Sequence, residues 1–186
     1  MAEFYLFGGP NGAGKTTSAM RILPSLGCRH FLNADMLAQG FSPLDVDAAA
    51  FKAGVTLMRE LPAFAAKSAD FGTESTLSAK AYIPLVERWR AEGYRFHLYY
   101  FWLPSADIAV ERVAARVRAG GHNIPEATIR RRYEVGRRNF VEDYAPRADF
   151  WTVIDNSTPF YQVVAEGGLA RSEQIFDACV WEKIHV

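Results

Sequence analysis

Gly9-Pro10-Asn11-Gly12-Ala13-Gly14-Lys15-Thr16 is the segment of this sequence best equipped for chemistry. It fits G-x-x-x-x-G-K-[ST], a loop whose backbone N–H groups wrap a phosphate. The glycines permit the close approach, and the helix that should follow adds partial positive charge at its N-terminus. Lys15 is expected to bridge the β- and γ-phosphates and Thr16 to ligate magnesium, with Thr17 completing the binding segment. An ordinary glycine turn is the plain alternative. The flanks argue against it, because the apolar Phe4–Phe7 reads as a strand before the loop and Lys15–Leu23 as a helix after it. The expected cofactors are ATP and Mg2+.

Two acids are candidates for acting on an acceptor. Asp35 closes Asn33-Ala34-Asp35, directly after a second short apolar run. Phosphoryl transfer to a hydroxyl needs a carboxylate to accept or orient the proton, and Asp35 could supply it. It could equally cap a helix. Glu74 stands in Phe71-Gly72-Thr73-Glu74-Ser75-Thr76-Leu77-Ser78, where Glu74 and Thr76 offer short hydrogen-bonding groups to an acceptor. Here too Thr76 or Ser78 could simply cap the next helix. Asp70-Phe71-Gly72 spells the magnesium triplet of protein kinases, but no His-Arg-Asp loop accompanies it and the nucleotide loop is of the other class.

Cations gather further along. Eight of the sixteen arginines lie between Arg112 and Arg138, against Glu111, Glu126 and Glu134 in or beside that stretch. Arg112 and Arg116 are one helical turn apart, beside Ala109, Val110, Val113 and Val117. Arg118, Gly120-Gly121-His122 and Asn123-Ile124-Pro125 follow, then Arg130-Arg131-Arg132. Helix, glycine break and helix with arginines on both arms suit a lid over phosphates, at about 112–138. A solvated basic face or a nucleic-acid patch is the competing reading. Spacing does not choose between Arg116 and Arg118, and His122 is either a phosphate donor or a structural histidine.

These groups need a scaffold. Strands are expected at Phe4–Phe7, Phe31–Ala34, Asp70–Glu74, Tyr94–Trp102 and Phe150–Ile154, with an edge strand at Gln162–Ala165. Helices are expected at Lys15–Leu23, Asp45–Leu61, Ser78–Glu92, Ala106–Ala119, Pro125–Tyr144 and Glu173–Lys183. The alternation predicts an α/β fold: a doubly wound, mostly parallel sheet with helices on both faces. With 186 residues and no linker or repeat, a single domain over 1–186 is expected.

Composition narrows the function. The formal net charge is zero, which gives no overall pull toward nucleic acid or membrane. Cys28 and Cys179 have neither disulfide-framework nor zinc spacing. The longest aromatic-aliphatic run, Leu98–Leu103, is too short to span a bilayer, and no signal peptide opens the chain, so a cytoplasmic location is expected.

Taken in order, several segments resemble the zeta toxin family, in particular its short bacterial members. They are Gly8–Thr17, Asn33-Ala34-Asp35, Glu74-Ser75-Thr76-Leu77-Ser78, and Arg116-Val117 leading to Gly120–Pro125. Arg131-Arg132-Tyr133 and Asp155-Asn156-Ser157 complete the set. The resemblance implies a fold like nucleotide kinases and ATP as donor. As acceptor it implies a hydroxyl of a UDP-activated amino sugar such as UDP-N-acetylglucosamine. By the same resemblance Asp35 is the general base, Lys15 the phosphate-loop lysine and Glu74 a sugar-site acid. Arg116 and one of Arg130 to Arg132, taken as Arg131, contact the γ-phosphate. An antitoxin partner is also implied. The other readings are a kinase for a nucleoside, an antibiotic or a polynucleotide end, and a nucleotide-dependent switch with no acceptor.

Overall fold

The computed structural model describes residues 1–158 and 160–186. Its strands are β1 (Glu3–Gly8), β2 (His30–Leu32), β3 (Phe71–Ser75), β4 (Arg95–Trp102), β5 (Phe150–Asp155), β6 (Gln162–Gly168) and β7 (Arg171–Ile175). They form one seven-stranded sheet in the order β2-β3-β1-β4-β5-β6-β7. The pairs from β2 to β5 are parallel, and β6 and β7 add on antiparallel. The expected mostly parallel α/β sheet is therefore present.

β1 shows how such a sheet fills both faces. Phe4 and Leu6 point into one core, with Phe71, Trp89, Phe96 and Phe140, while Tyr5 and Phe7 point into the other, with Leu23, Phe101, Val113 and Tyr133. The helices are α1 (Lys15–Ser25), α2 (Ala34–Phe41), α3 (Val46–Ala65), α4 (Ile83–Ala91), α5 (Ala106–Arg118), α6 (Glu126–Asn139) and α7 (Ala178–His185). Several start where a side chain accepts a free N–H: Asn33 caps α2, Asp45 α3, Ser105 α5 and Asp177 α7. α2 and the N-terminal half of α3 share a small core of their own, Ala38, Ala49 and Ala53, apart from the two main ones. Among the described residues no helix is long and apolar enough to cross a membrane.

Four local expectations are corrected. Asn33-Ala34 does not extend β2, because the Asn33 side chain accepts the Met36 N–H at 3.1 Å and opens α2 instead. The helix expected from Ser78 starts only at Ile83. Before it, tertiary bonds replace helical ones: Asn139 Nδ2 donates to the Leu77 carbonyl and Tyr144 Oη to that of Ala79, both at 2.7 Å. The helix expected to reach Tyr144 ends at Asn139 and widens into a π turn at Phe140–Tyr144. Finally, Arg171–Ile175 pairs with β6 as strand β7, so the last helix begins at Ala178 rather than Glu173. Polar residues on an edge strand carry no period that separates them from a helix face.

Candidate active site

After Gly8 the chain turns through residues 9–14 into α1. Gly14, which caps that helix, has a φ of 81°, and a Cβ there would also run into Asn156 Nδ2. Asn156, just past the end of β5, donates to the Ala13 carbonyl at 2.8 Å. Arg112 reaches in from α5, its Nη1 donating to the Gly12 carbonyl at 3.4 Å and its Nη2 to that of Ser157 at 2.9 Å. Two segments remote in sequence thus hold the loop in shape. Residue spacing alone gives neither of them this task. For Asn156 the available signal is its place at a carboxyl strand end, where ligands bind in such sheets.

Lys15 is buried, and its Nζ donates to the Pro10 carbonyl at 2.9 Å. Burial pushes its ammonium below the usual lysine range; Glu74 and Asp35 oppose that shift, while Arg116 and Arg132 add to it. Five charged side chains from five parts of the chain therefore share one electrostatic neighbourhood. A cavity of about 310 Å³ opens above the loop, walled by Asp35, Glu74, Arg112 and Arg116. A neighbouring cavity of about 400 Å³ shares Gly14, Thr17 and Arg112 with it and is walled by Phe101, Asn156 and Tyr161.

The acids enter from adjacent strand ends. Asp35 sits in the first turn of α2, just past β2, and is exposed. Glu74 is near the end of β3, and its Oε2 accepts the Thr16 hydroxyl at 2.6 Å. Asn33 Nδ2 lies 3.5 Å from the same hydroxyl oxygen. Among the described residues no group of three or more His, Cys, Asp or Glu could cage a metal. Magnesium does not require one, since it keeps several waters and takes one or two protein oxygens beside phosphate. Thr16 Oγ1 with the Glu74 carboxylate fits that demand.

Arg116 is half-buried whereas Arg118 is exposed, so the structure separates the pair that spacing could not. Arg116 Nη2 donates to the His122 carbonyl at 2.9 Å, and its Nε is buried with no partner, a donor suited to an anion. Arg132 is half-buried, its basicity lowered by burial and by Arg131 and supported by Asp35. Arg131 points to solvent, and Arg130 is engaged by Glu126 at 2.8 Å and Asp107 at 2.7 Å. Thr76 lies outside the cavity with its hydroxyl 2.9 Å from that of Ser78, and neither caps α4. The His122 ring also faces elsewhere, its Nδ1 2.8 Å from Asp47 Oδ1.

No family model matches the chain. An uncharacterized protein of Haemophilus influenzae is 30% identical to it over 132 residues, which is 71% of this chain and 91% of that protein. In the crystal structure of AvrRxo1-ORF1:ORF2 with ATP, one chain superposes with a TM-score of 0.76 at 16% identity. That match covers 99% of this chain and 63% of the other, so the chain spans somewhat less than two thirds of that protein's length. A chain of the PezAT chromosomal toxin-antitoxin system of Streptococcus pneumoniae superposes with a TM-score of 0.58 at 16% identity, covering 87% and 72%. At these identities the likeness to solved structures is one of fold.

Proposed function

The chain belongs to one family with the Haemophilus influenzae protein and has a P-loop kinase fold, and on this premise we propose that it is an ATP- and magnesium-dependent kinase acting on a small-molecule hydroxyl. The observation that carries the reading is the ring around Lys15, with Asp35 and Glu74 opposing Arg116 and Arg132 over one phosphate loop. A switch needs the loop but gains nothing from an exposed carboxylate, Asp35, on the wall of the cavity above that loop.

The loop N–H groups and Lys15 hold the phosphates, Lys15 exchanging the Pro10 carbonyl for phosphate oxygen. The neighbouring cavity, between Phe101 and Tyr161, takes the base end of the nucleotide. Arg116, through its open Nε, and Arg132 meet charge that builds on the transferring group. Thr16 and Glu74 would hold magnesium, which would neutralise phosphate charge there. Asp35 receives the acceptor's proton as the acceptor oxygen bonds to the γ-phosphorus and the bond from that phosphorus to the β-phosphate oxygen breaks, with ADP as the leaving group.

The acceptor to try first is a UDP-activated amino sugar such as UDP-N-acetylglucosamine, on the strength of the zeta toxin resemblance. The PezAT likeness supports an antitoxin as partner. The experiment is incubation with ATP, magnesium and a panel of UDP-sugars, nucleosides, antibiotics and polynucleotide ends, read by mass spectrometry for the species that gains a phosphate. Asp35→Asn is the control: its ATP·Mg affinity should stay near wild type while transfer falls by about 10² to 10⁴. ATP turnover indifferent to every acceptor, and to Asp35→Asn, would replace the kinase with a switch.

A further inference from the structure

The helical hairpin α2–α3 and the lid formed by α5, the loop 119–125 and α6 both reach the cavity above the phosphate loop. The hairpin carries Asp35 and the lid carries Arg116. Between them runs one polar contact, from the His122 ring Nδ1 to Asp47 Oδ1 at 2.8 Å, and among the described residues no other hydrogen bond or ion pair joins them. Asp47 lies in the first turn of α3 and is largely exposed, whereas the His122 side chain is mostly covered.

The contact reaches further than its two side chains. Past α5 the chain folds back at Gly120-Gly121, with Gly121 N–H donating to the Arg116 carbonyl at 2.9 Å. This return brings the His122 carbonyl onto Arg116 Nη2 at 2.9 Å. The residue whose ring is held by Asp47 is therefore the residue whose backbone holds the guanidinium. The third element of Arg116, its Nε, remains buried and without a partner, beside the loop that would present phosphate. α2 and the start of α3, which carries Asp47, meet over a separate alanine cluster, while Leu57, Leu61 and Ala65 anchor the rest of α3 in the main core.

We propose that Asp47 is a positioning residue for Arg116: through the His122 ring it fixes the lid loop whose carbonyl orients the guanidinium, and so couples the acceptor-side hairpin to the γ-phosphate arginine. An acceptor that settles beside Asp35 and firms α2 against the start of α3 seats the arginine, and an empty acceptor side leaves it loose. An exposed ion pair adds little stability by itself, so the value of this one lies in geometry. A small misplacement of a group acting on the transition state costs about 10²-fold in rate.

The inference rests on the kinase reading above, and its test needs no acceptor. Calorimetry would compare affinity for ADP·Mg alone with affinity for ADP·Mg plus aluminium fluoride, a mimic of the transferring phosphoryl group. The proteins are wild type, Asp47→Ala, Arg116→Ala and the double variant, each first checked for an unchanged thermal melt. ADP·Mg affinity should be alike in all four. The gain that fluoride brings in wild type should fall by at least about tenfold in each single variant and no further in the double one, since residues acting through one contact are not additive. Asp47→Glu, which keeps a carboxylate for the His122 ring, should recover part of the gain and serves if the alanine variant folds poorly. A full gain in Asp47→Ala, or losses that simply add in the double variant, would overturn the coupling and leave the kinase reading untouched. A wild type that binds ADP·Mg but gains nothing from fluoride would instead bring down the phosphoryl-transfer reading beneath it.

Discussion

On α6, Arg131 and Arg132 are separated by roughly 100° of helix rotation. That turn leaves Arg131 in solvent and half-buries Arg132, within electrostatic reach of Asp35 and Lys15. Motif order offers the three arginines as equals; burial does not. Arg132→Ala should lower transfer by about 10³, since an arginine on the γ-phosphate acts chiefly in the transition state. ADP affinity should change little, and Arg131→Ala should stay near wild type in both. Acceptor-dependent kcat beside calorimetric ADP affinity checks both variants, and equal losses would return the role to the basic cluster as a whole. Burial sets Lys15 apart too: it is an ammonium whose only hydrogen-bond partner among the described residues is a carbonyl, which phosphate can replace.

At the scale of elements, the site depends on how closely α6 approaches the segment after β3. Gly136 makes that approach possible, for a Cβ there would overlap the Thr76 carbonyl oxygen, a backbone atom that cannot swing aside. Alanine in a helix interior normally stabilises by about 1 kcal/mol relative to glycine. Here the sign should reverse. Gly136→Ala should destabilise by about 1 to 3 kcal/mol, the usual cost of overpacking, as read from a denaturant midpoint at unchanged slope. Because Thr76 follows Glu74 by two residues, weaker magnesium-dependent nucleotide binding should accompany the loss. A variant as stable as wild type would mean that α6 can shift without cost. The irregular path of 76–82 has the same origin, as Asn139 and Tyr144 from the α6 side take the carbonyls that a helix would have used.

For the whole molecule, the sheet is tied to its α4 layer by Asp149, just before β5. Its carboxylate accepts Arg90 Nη2 at 2.7 Å, Arg90 Nε at 2.9 Å and the Phe96 N–H at 2.8 Å. Burial alone would raise this carboxyl, but the Arg90 and Phe96 bonds, with the nearby charges of Arg90 and His97, outweigh it and hold it below the usual carboxylate range. A depressed carboxyl stabilises the fold above its unfolded pKa and loses that contribution as pH falls through the folded value. Asp149→Ala should therefore cost about 2 to 3 kcal/mol near neutrality, and the gap to wild type should close only in acid, below the ordinary carboxylate pKa of about 4. Denaturation curves at several pH values measure this; a gap that stays constant into strong acid would assign the loss to packing.

Unlike α2 and β7, the phosphate loop, the strands β1 to β6, and the identity of Asp35 and Glu74 as the acids near that loop were legible in the chain. Each depends on local chemistry: a glycine pattern with one chemical use, apolar runs with a period, and acids just past strand ends. Which arginine faces the cavity, why Thr76 and His122 turn away from it, and that Arg112 and Asn156 brace the loop were decided by tertiary structure alone. Those outcomes rest on rotation about a helix axis and on contacts between segments far apart in sequence. Residue spacing has no term for either, because a side chain's direction becomes definite only when another element packs against it.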